Sequence, residues 1–123
     1  MWYDHFSTFY DCFLEKLYAP YRRVAIEALG LPSGSRILDL PCGTGQSFEG
    51  LASYSKDGGQ IIGVDYSNGM LRRAARRIDR LNIENVRLAR ASVEDIDVQW
   101  LETLIGRPEV DGVFCSLGLT ALP

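Results

Sequence analysis

Residues 36–45 read Arg36-Ile37-Leu38-Asp39-Leu40-Pro41-Cys42-Gly43-Thr44-Gly45. A short apolar run closes on one acid, Asp39, and passes into a tight Gly43-Thr44-Gly45 turn, after which Gln46 to Tyr54 recurs with helical spacing. Strand, glycine turn and helix in that order offer a ligand a row of backbone N–H groups and a helix start.

Outward from this stretch the pattern alternates. The first strand spans about 36–41 and a helix about 44–55, with Lys56 to Gly59 as a loop. Gln60 to Asp65 is apolar and β-branched, a second strand. Ser67 is placed to cap a helix whose apolar face carries Met70, Leu71, Ala74, Ala75, Ile78 and Leu81. A strand at 86–91, a helix at 97–105 (Val98, Trp100, Leu101, Leu104, Ile105) and a strand at 110–115 complete the alternation. Near-continuous apolar strands separated by helices predict an α/β fold, a mainly parallel sheet with helices on both faces. Upstream, Phe6, Phe9, Tyr10, Phe13, Leu14 and Leu17 form an amphipathic helix, and Pro20 opens a second helix that ends at Gly30. The organisation read here is a helical cap over 1–34 followed by a ligand-binding unit over 35–123.

Composition narrows the partners. A net charge of −3 over 123 residues gives no overall attraction to nucleic acid. Three dispersed cysteines, Cys12, Cys42 and Cys115, match a reduced cytoplasmic protein and contain no zinc-ligand pair. No apolar run reaches the ~20 residues of a membrane span.

The glycine turn excludes two common nucleotide loops. A dinucleotide fingerprint needs a third glycine where Phe48 stands, and a Walker-type loop needs a lysine that the turn lacks. Asp39-x-Pro41-Cys42-Gly43-Thr44-Gly45 instead resembles the first motif of class I S-adenosylmethionine-dependent methyltransferases, with Pro41 in place of a glycine. Proline fits only if this position needs no positive φ. The resemblance implies a Rossmann-like three-layer αβα sheet in the order 3-2-1-4. It also implies that Asp39 and the backbone of Pro41, Gly43, Thr44 and Gly45 hold the amino-acid end of the cofactor. An acid suits its ammonium, and N–H groups at a helix start suit its carboxylate.

Three further segments carry the same resemblance. In Gly63-Val64-Asp65-Tyr66-Ser67 it makes Asp65 the acceptor for the ribose hydroxyls and Tyr66 the ring that packs on adenine, with Met70 following. After strand three, Ser92 stands where the family often has an acid near the adenine amino group, and the backbone of Val93 is the second candidate. The tract ending in Cys115-Ser116-Leu117-Gly118-Leu119 is similar to the segment beneath the methyl-transfer site, and it places Cys115 at the cofactor. That tract and the Tyr-Asp pairs near the N-terminus resemble the phosphatidylethanolamine and quinone methyltransferase branch, which adds Tyr10 and Tyr21 as aromatic contacts.

The expected activity is methyl transfer from S-adenosylmethionine, with S-adenosylhomocysteine as product, to a small-molecule or lipid-like acceptor. The alternative is a non-catalytic cofactor-binding module that acts with a partner chain. Catalytic side chains are not legible, and no metal is expected. His5 reads as structural, and Cys115 as a buried structural thiol. Arg72, Arg73, Arg76, Arg77 and Arg80 read as a solvated face, with an acidic partner or lipid headgroups as the alternative. Eight residues after strand four cannot supply its covering helix. The chain is therefore expected to be an amino-terminal half, self-associating or joining a partner chain through a bare strand edge.

Overall fold

The computed structural model describes residues 22–115. Tyr10, Tyr21, His5, most of the N-terminal cap and the tract after Cys115 lie outside these residues. The described elements are α1 (residues 22–28), β1 (Arg36–Asp39), α2 (Phe48–Ser55), β2 (Gln60–Asp65), α3 (Asn68–Leu81), β3 (Val86–Arg90), a 3-10 turn (Val93–Asp95), α4 (Val98–Ile105) and β4 (Gly112–Phe114).

All strand pairs are parallel and the sheet order is β3-β2-β1-β4, as the resemblance implies. Asp39 stands opposite Gly63 on β2 and Phe114 on β4. Side chains alternate across a sheet, so Ile37, Asp39, Ile61, Gly63, Asp65 and Phe114 share one face. There Ile37, Ile61 and Phe114 pack with Ile26 of α1, Phe48 and Leu51 of α2 and Ala74 of α3. The opposite face, Leu38, Ile62 and Val64, packs under Trp100, Leu104 and Ile105 of α4. The chain moves outward from β1 through β2 to β3, then returns across the sheet to β4. The direction of winding thus reverses beside β1, and in open α/β sheets ligands bind at the carboxyl ends of strands at such a reversal.

Element boundaries follow local chemistry. β1 ends at Asp39 rather than near 41, because Pro41 has no N–H to donate and the chain turns there. α2 starts at Phe48 rather than 44. Gly43 and Gly45 sit at φ +57° and +82°, which a right-handed helix cannot contain. Ser67 caps α3 as expected, its Oγ accepting the Met70 N–H at 3.2 Å. Asp97 caps α4, accepting the Trp100 N–H at 2.7 Å. Gly106 at φ +77° closes α4, its N–H reaching the Glu102 carbonyl.

Three expectations are corrected. Ala75 is exposed because Ala74, one position earlier, faces the sheet. Val98 is 64% exposed, since Leu101 and Leu104 carry the contact of α4 with the sheet. Cys115 is exposed rather than buried, because it follows the last described residue of an edge strand.

Candidate functional site

The site is assembled at the carboxyl ends of β1 and β2. Asp39 is the last residue of β1 and has no exposed surface. Among the described residues neither of its carboxylate oxygens has a hydrogen-bond partner. A buried polar group without a partner is uncommon in a folded protein and calls for an explanation. Burial pushes the Asp39 carboxyl well above the usual carboxylate range. The charge of Asp65 adds to this, and the Arg22 guanidinium opposes it.

Asp65, on the same sheet face and 3% exposed, is held differently. Its Oδ2 accepts the Gly43 N–H at 2.9 Å and its Oδ1 accepts the Ser67 N–H at 2.9 Å. One carboxylate therefore ties the glycine turn after β1 to the helix start after β2. The turn is fastened at two more points: the Cys42 N–H donates to the Val64 carbonyl at 2.8 Å, and the Gly45 N–H to the Cys42 carbonyl at 3.0 Å.

The Phe48 ring is the floor of this turn. It is wholly buried, and a Cβ added at Gly45 or at Gly63 would fall 2.7 Å from its ring carbons. The ring thus occupies the space between turn and sheet that a dinucleotide loop closes with its third glycine. Two glycines elsewhere, one in the turn and one on β2, make the room. Pro41 is not among the residues with positive φ, so the substitution noted in the motif meets its one backbone requirement. Thr44 is buried in the turn.

The remaining predicted residues lie around this centre. Tyr66 is 63% exposed after β2, and the Arg90 guanidinium stacks 4.6 Å from its ring centroid. The Arg90 Nε–H also donates to the Tyr66 carbonyl at 2.9 Å. Met70 is buried in the first turn of α3. The Ser92 Oγ accepts the Glu94 N–H at 3.3 Å and so caps the 3-10 turn that carries the exposed Val93. Cys115 follows β4, whose Phe114 stands opposite Asp39.

Sequence reasoning missed three residues. Arg22 of α1 is 9% exposed, donates to the Gln46 Oε1 at 3.0 Å, and is the cation that bears on Asp39. Gln46 therefore links the turn to α1. Arg90 was passed over as a neighbour of Tyr66. The only signal for Arg22 was a charged pair, Arg22-Arg23, in an aromatic-rich stretch. Nothing in that pattern says that one of the two turns inward.

Comparison with known proteins agrees with this geometry. The sequence model of a family described as "Methyltransferase domain" matches residues 31–121. The chain belongs to that family and is of the class I S-adenosylmethionine-dependent methyltransferase type. Among curated relatives, a demethylmenaquinone methyltransferase of Beutenbergia cavernae is 42% identical over 57 residues, covering 46% of this chain and 22% of that protein. The S-adenosyl-L-methionine-dependent Diels-Alderase iliD of a Neonectria species is 29% identical over 93 residues, covering 76% of this chain and 36% of that protein. Among solved structures, a protein-L-isoaspartate O-methyltransferase superposes with a TM-score of 0.56 at 25% identity, covering 74% of this chain and 26% of that one. EvdMO1 superposes with a TM-score of 0.58 at 26% identity, covering 79% and 21%. The matched segment spans between 20% and 23% of the length of the first three curated relatives.

Proposed function

We propose that this chain is the cofactor-binding portion of an enzyme that transfers the methyl group of S-adenosylmethionine to a small-molecule or lipid-like acceptor. The observation that carries the reading is Asp39: a carboxyl group with no exposure and no partner among the described residues, at the end of the strand where the winding reverses. An ammonium group is the natural occupant of such a site, because it supplies both charge and hydrogen-bond donors. In this reading the backbone of Pro41, Gly43, Thr44 and Gly45 lies against the amino-acid end. Asp65 accepts the ribose hydroxyls, and Tyr66, Met70, Ser92 and Val93 surround the adenine. Tyr10, Tyr21 and Cys115 close over the reacting end. The relation to demethylmenaquinone methyltransferases favours a hydrophobic acceptor.

Bound there, S-adenosylmethionine supplies an activated methyl group whose sulfur leaves as a neutral thioether. The chain's own task is then to fix orientation and exclude water, which in favourable systems contributes about 7–11 kcal/mol. The division into a cap over 1–34 and a binding unit over 35–123 belongs to the same proposal. So do a cytoplasmic location and self-association through the β4 edge, where Val113 is 50% exposed. No helix of the described residues is long and apolar enough to cross a membrane.

A second reading has its own support. The iliD protein, similar over 76% of this chain, carries a name that joins S-adenosylmethionine to a cycloaddition rather than to methyl transfer. On this reading the domain binds the cofactor without transferring its methyl group. Calorimetry with S-adenosylmethionine, S-adenosylhomocysteine and NAD tests both readings, which require the first two to bind and NAD not to. Release of labelled S-adenosylhomocysteine in the presence of candidate acceptors then separates them. Binding of NAD alone would overturn the assignment.

A further inference from the structure

Two carboxyl groups share the same corner of the sheet, and the chain treats them in opposite ways. Asp65 receives one backbone N–H on each oxygen, which stabilises it as an anion. Asp39 receives none from the described residues, has no exposed surface and lies within the field of Asp65. A buried carboxylate without donors is costly enough that such a group takes up a proton instead. Two neighbouring acids in unlike environments divide one proton unequally, and here the donors decide which acid holds it.

We propose that before ligand binds Asp39 holds a proton and that seating a cation beside it expels that proton, so that cofactor binding is an exchange of one ammonium for one proton. The inference rests on the functional reading above and adds to it a property of this chain. The groups that face Asp39 are known among the described residues. Arg22 from α1 favours the anion, whereas Asp65 from β2 favours the acid. Cys42 in the turn and Cys115 after β4 each respond to the charge on Asp39. Burial pushes up the Cys42 thiol, and partial desolvation raises that of the largely exposed Cys115, so neither competes for the proton near neutrality. Arg22 alone has not offset the burial of Asp39. An arriving ammonium brings both a second positive charge and the missing donors, and the proton leaves to solvent.

The exchange fixes a sign. A proton released on binding makes affinity rise with pH, by up to about tenfold per pH unit, until Asp39 ionises without ligand. The test is calorimetry of the full chain with S-adenosylmethionine in buffers of different ionisation enthalpy, at several values between about pH 5.5 and about pH 7, where the ligand's own α-amino group, with a pKa of about 7.7–8.0, stays protonated. The expected result is release of about one proton per ligand. The probe 5′-methylthioadenosine, which has the nucleoside but no ammonium, should bind without releasing a proton.

Asp39→Asn should bind S-adenosylmethionine more weakly and release none. If that variant does not fold, the wild-type pH dependence and the methylthioadenosine control still decide. Tight binding of S-adenosylmethionine with no buffer dependence would overturn the exchange and leave the cofactor reading intact. Failure of both ligands to bind would overturn the cofactor reading. The protonation of Asp39 is then decided by infrared spectroscopy, where a protonated-carboxyl band near neutral pH supports it and the absence of that band refutes it.

Discussion

Replacing Gly63 with alanine puts a methyl group where the Phe48 ring already is. The added Cβ would lie 2.7 Å from the ring Cζ, 3.0 Å from its Cε1 and 3.0 Å from the Leu88 Cδ2. Carbon atoms rest at about 3.5–4.0 Å, so the neighbours must give on both sides. Phe48 has no exposed surface to retreat toward, and on its far side it meets the Gly45 turn at the same close distance. Overpacking of this kind costs about 1–3 kcal/mol, and with two neighbours crowded at once we expect the upper half of that range. Phe48→Leu, which shortens the ring to a branched chain, should cost about 1–2 kcal/mol through the cavity it leaves. The two changes relieve each other. In a double-mutant cycle followed by urea unfolding, Gly63→Ala with Phe48→Leu should be more stable than the sum of the single losses predicts, by about 1–2 kcal/mol. Because the ring also floors the glycine turn, Gly63→Ala should weaken S-adenosylmethionine binding, and the double variant should regain part of it. Additivity within about 0.5 kcal/mol would refute the view that the ring and the two glycines are one packed unit.

Asp65→Ala should weaken S-adenosylmethionine binding by about 1.5–3 kcal/mol, the size of charged hydrogen bonds. Because Gly43 and Ser67 lose their acceptor, the empty chain should also unfold at lower urea; unchanged affinity would remove Asp65 from the site. The folded-state carboxyl of Asp39 is raised above its unfolded value of about 3.9. Its stabilising proton is therefore fully present below that pH and is lost as pH rises toward the folded value. Urea titrations should accordingly show wild type losing up to about 1.4 kcal/mol per pH unit above about pH 4 relative to Asp39→Asn. Parallel pH profiles would refute the raised value. Ser67→Ala should cost about 1 kcal/mol in thermal unfolding, through loss of the α3 cap. An unchanged transition would show that the cap is dispensable.

The alternation of strands and helices could be read from periodicity because each element here satisfies its own rule. β2 is a short apolar run closed by an acid. α3 pairs a hydroxyl cap with a buried seam through Met70 and Ala74. Errors fell where a local signal has two solutions. The helical spacing from Gln46 was correct, but left-handed glycines delay the helix to Phe48. Ala74 and Ala75 are the same residue type, and only packing against the sheet decides which of them is inside. Cys115 is apolar enough for a core, but an edge strand gives it no cover.

At the site, the amino-acid order alone determined that an acid precedes a glycine turn, that a second acid closes the next strand, and that Phe48 bars a dinucleotide loop. These are properties of neighbours along the chain, and they sufficed for the family. Tertiary structure decided what the two acids are. β1 and β2 pair in parallel with Asp39 opposite Gly63, so both carboxyl groups arrive on one face beneath one turn. There backbone donors separated by more than twenty residues converge on Asp65, and none among the described residues reaches Asp39. Both residues are written with the same letter; their chemistry differs because burial and hydrogen bonding are set by segments brought together only on folding.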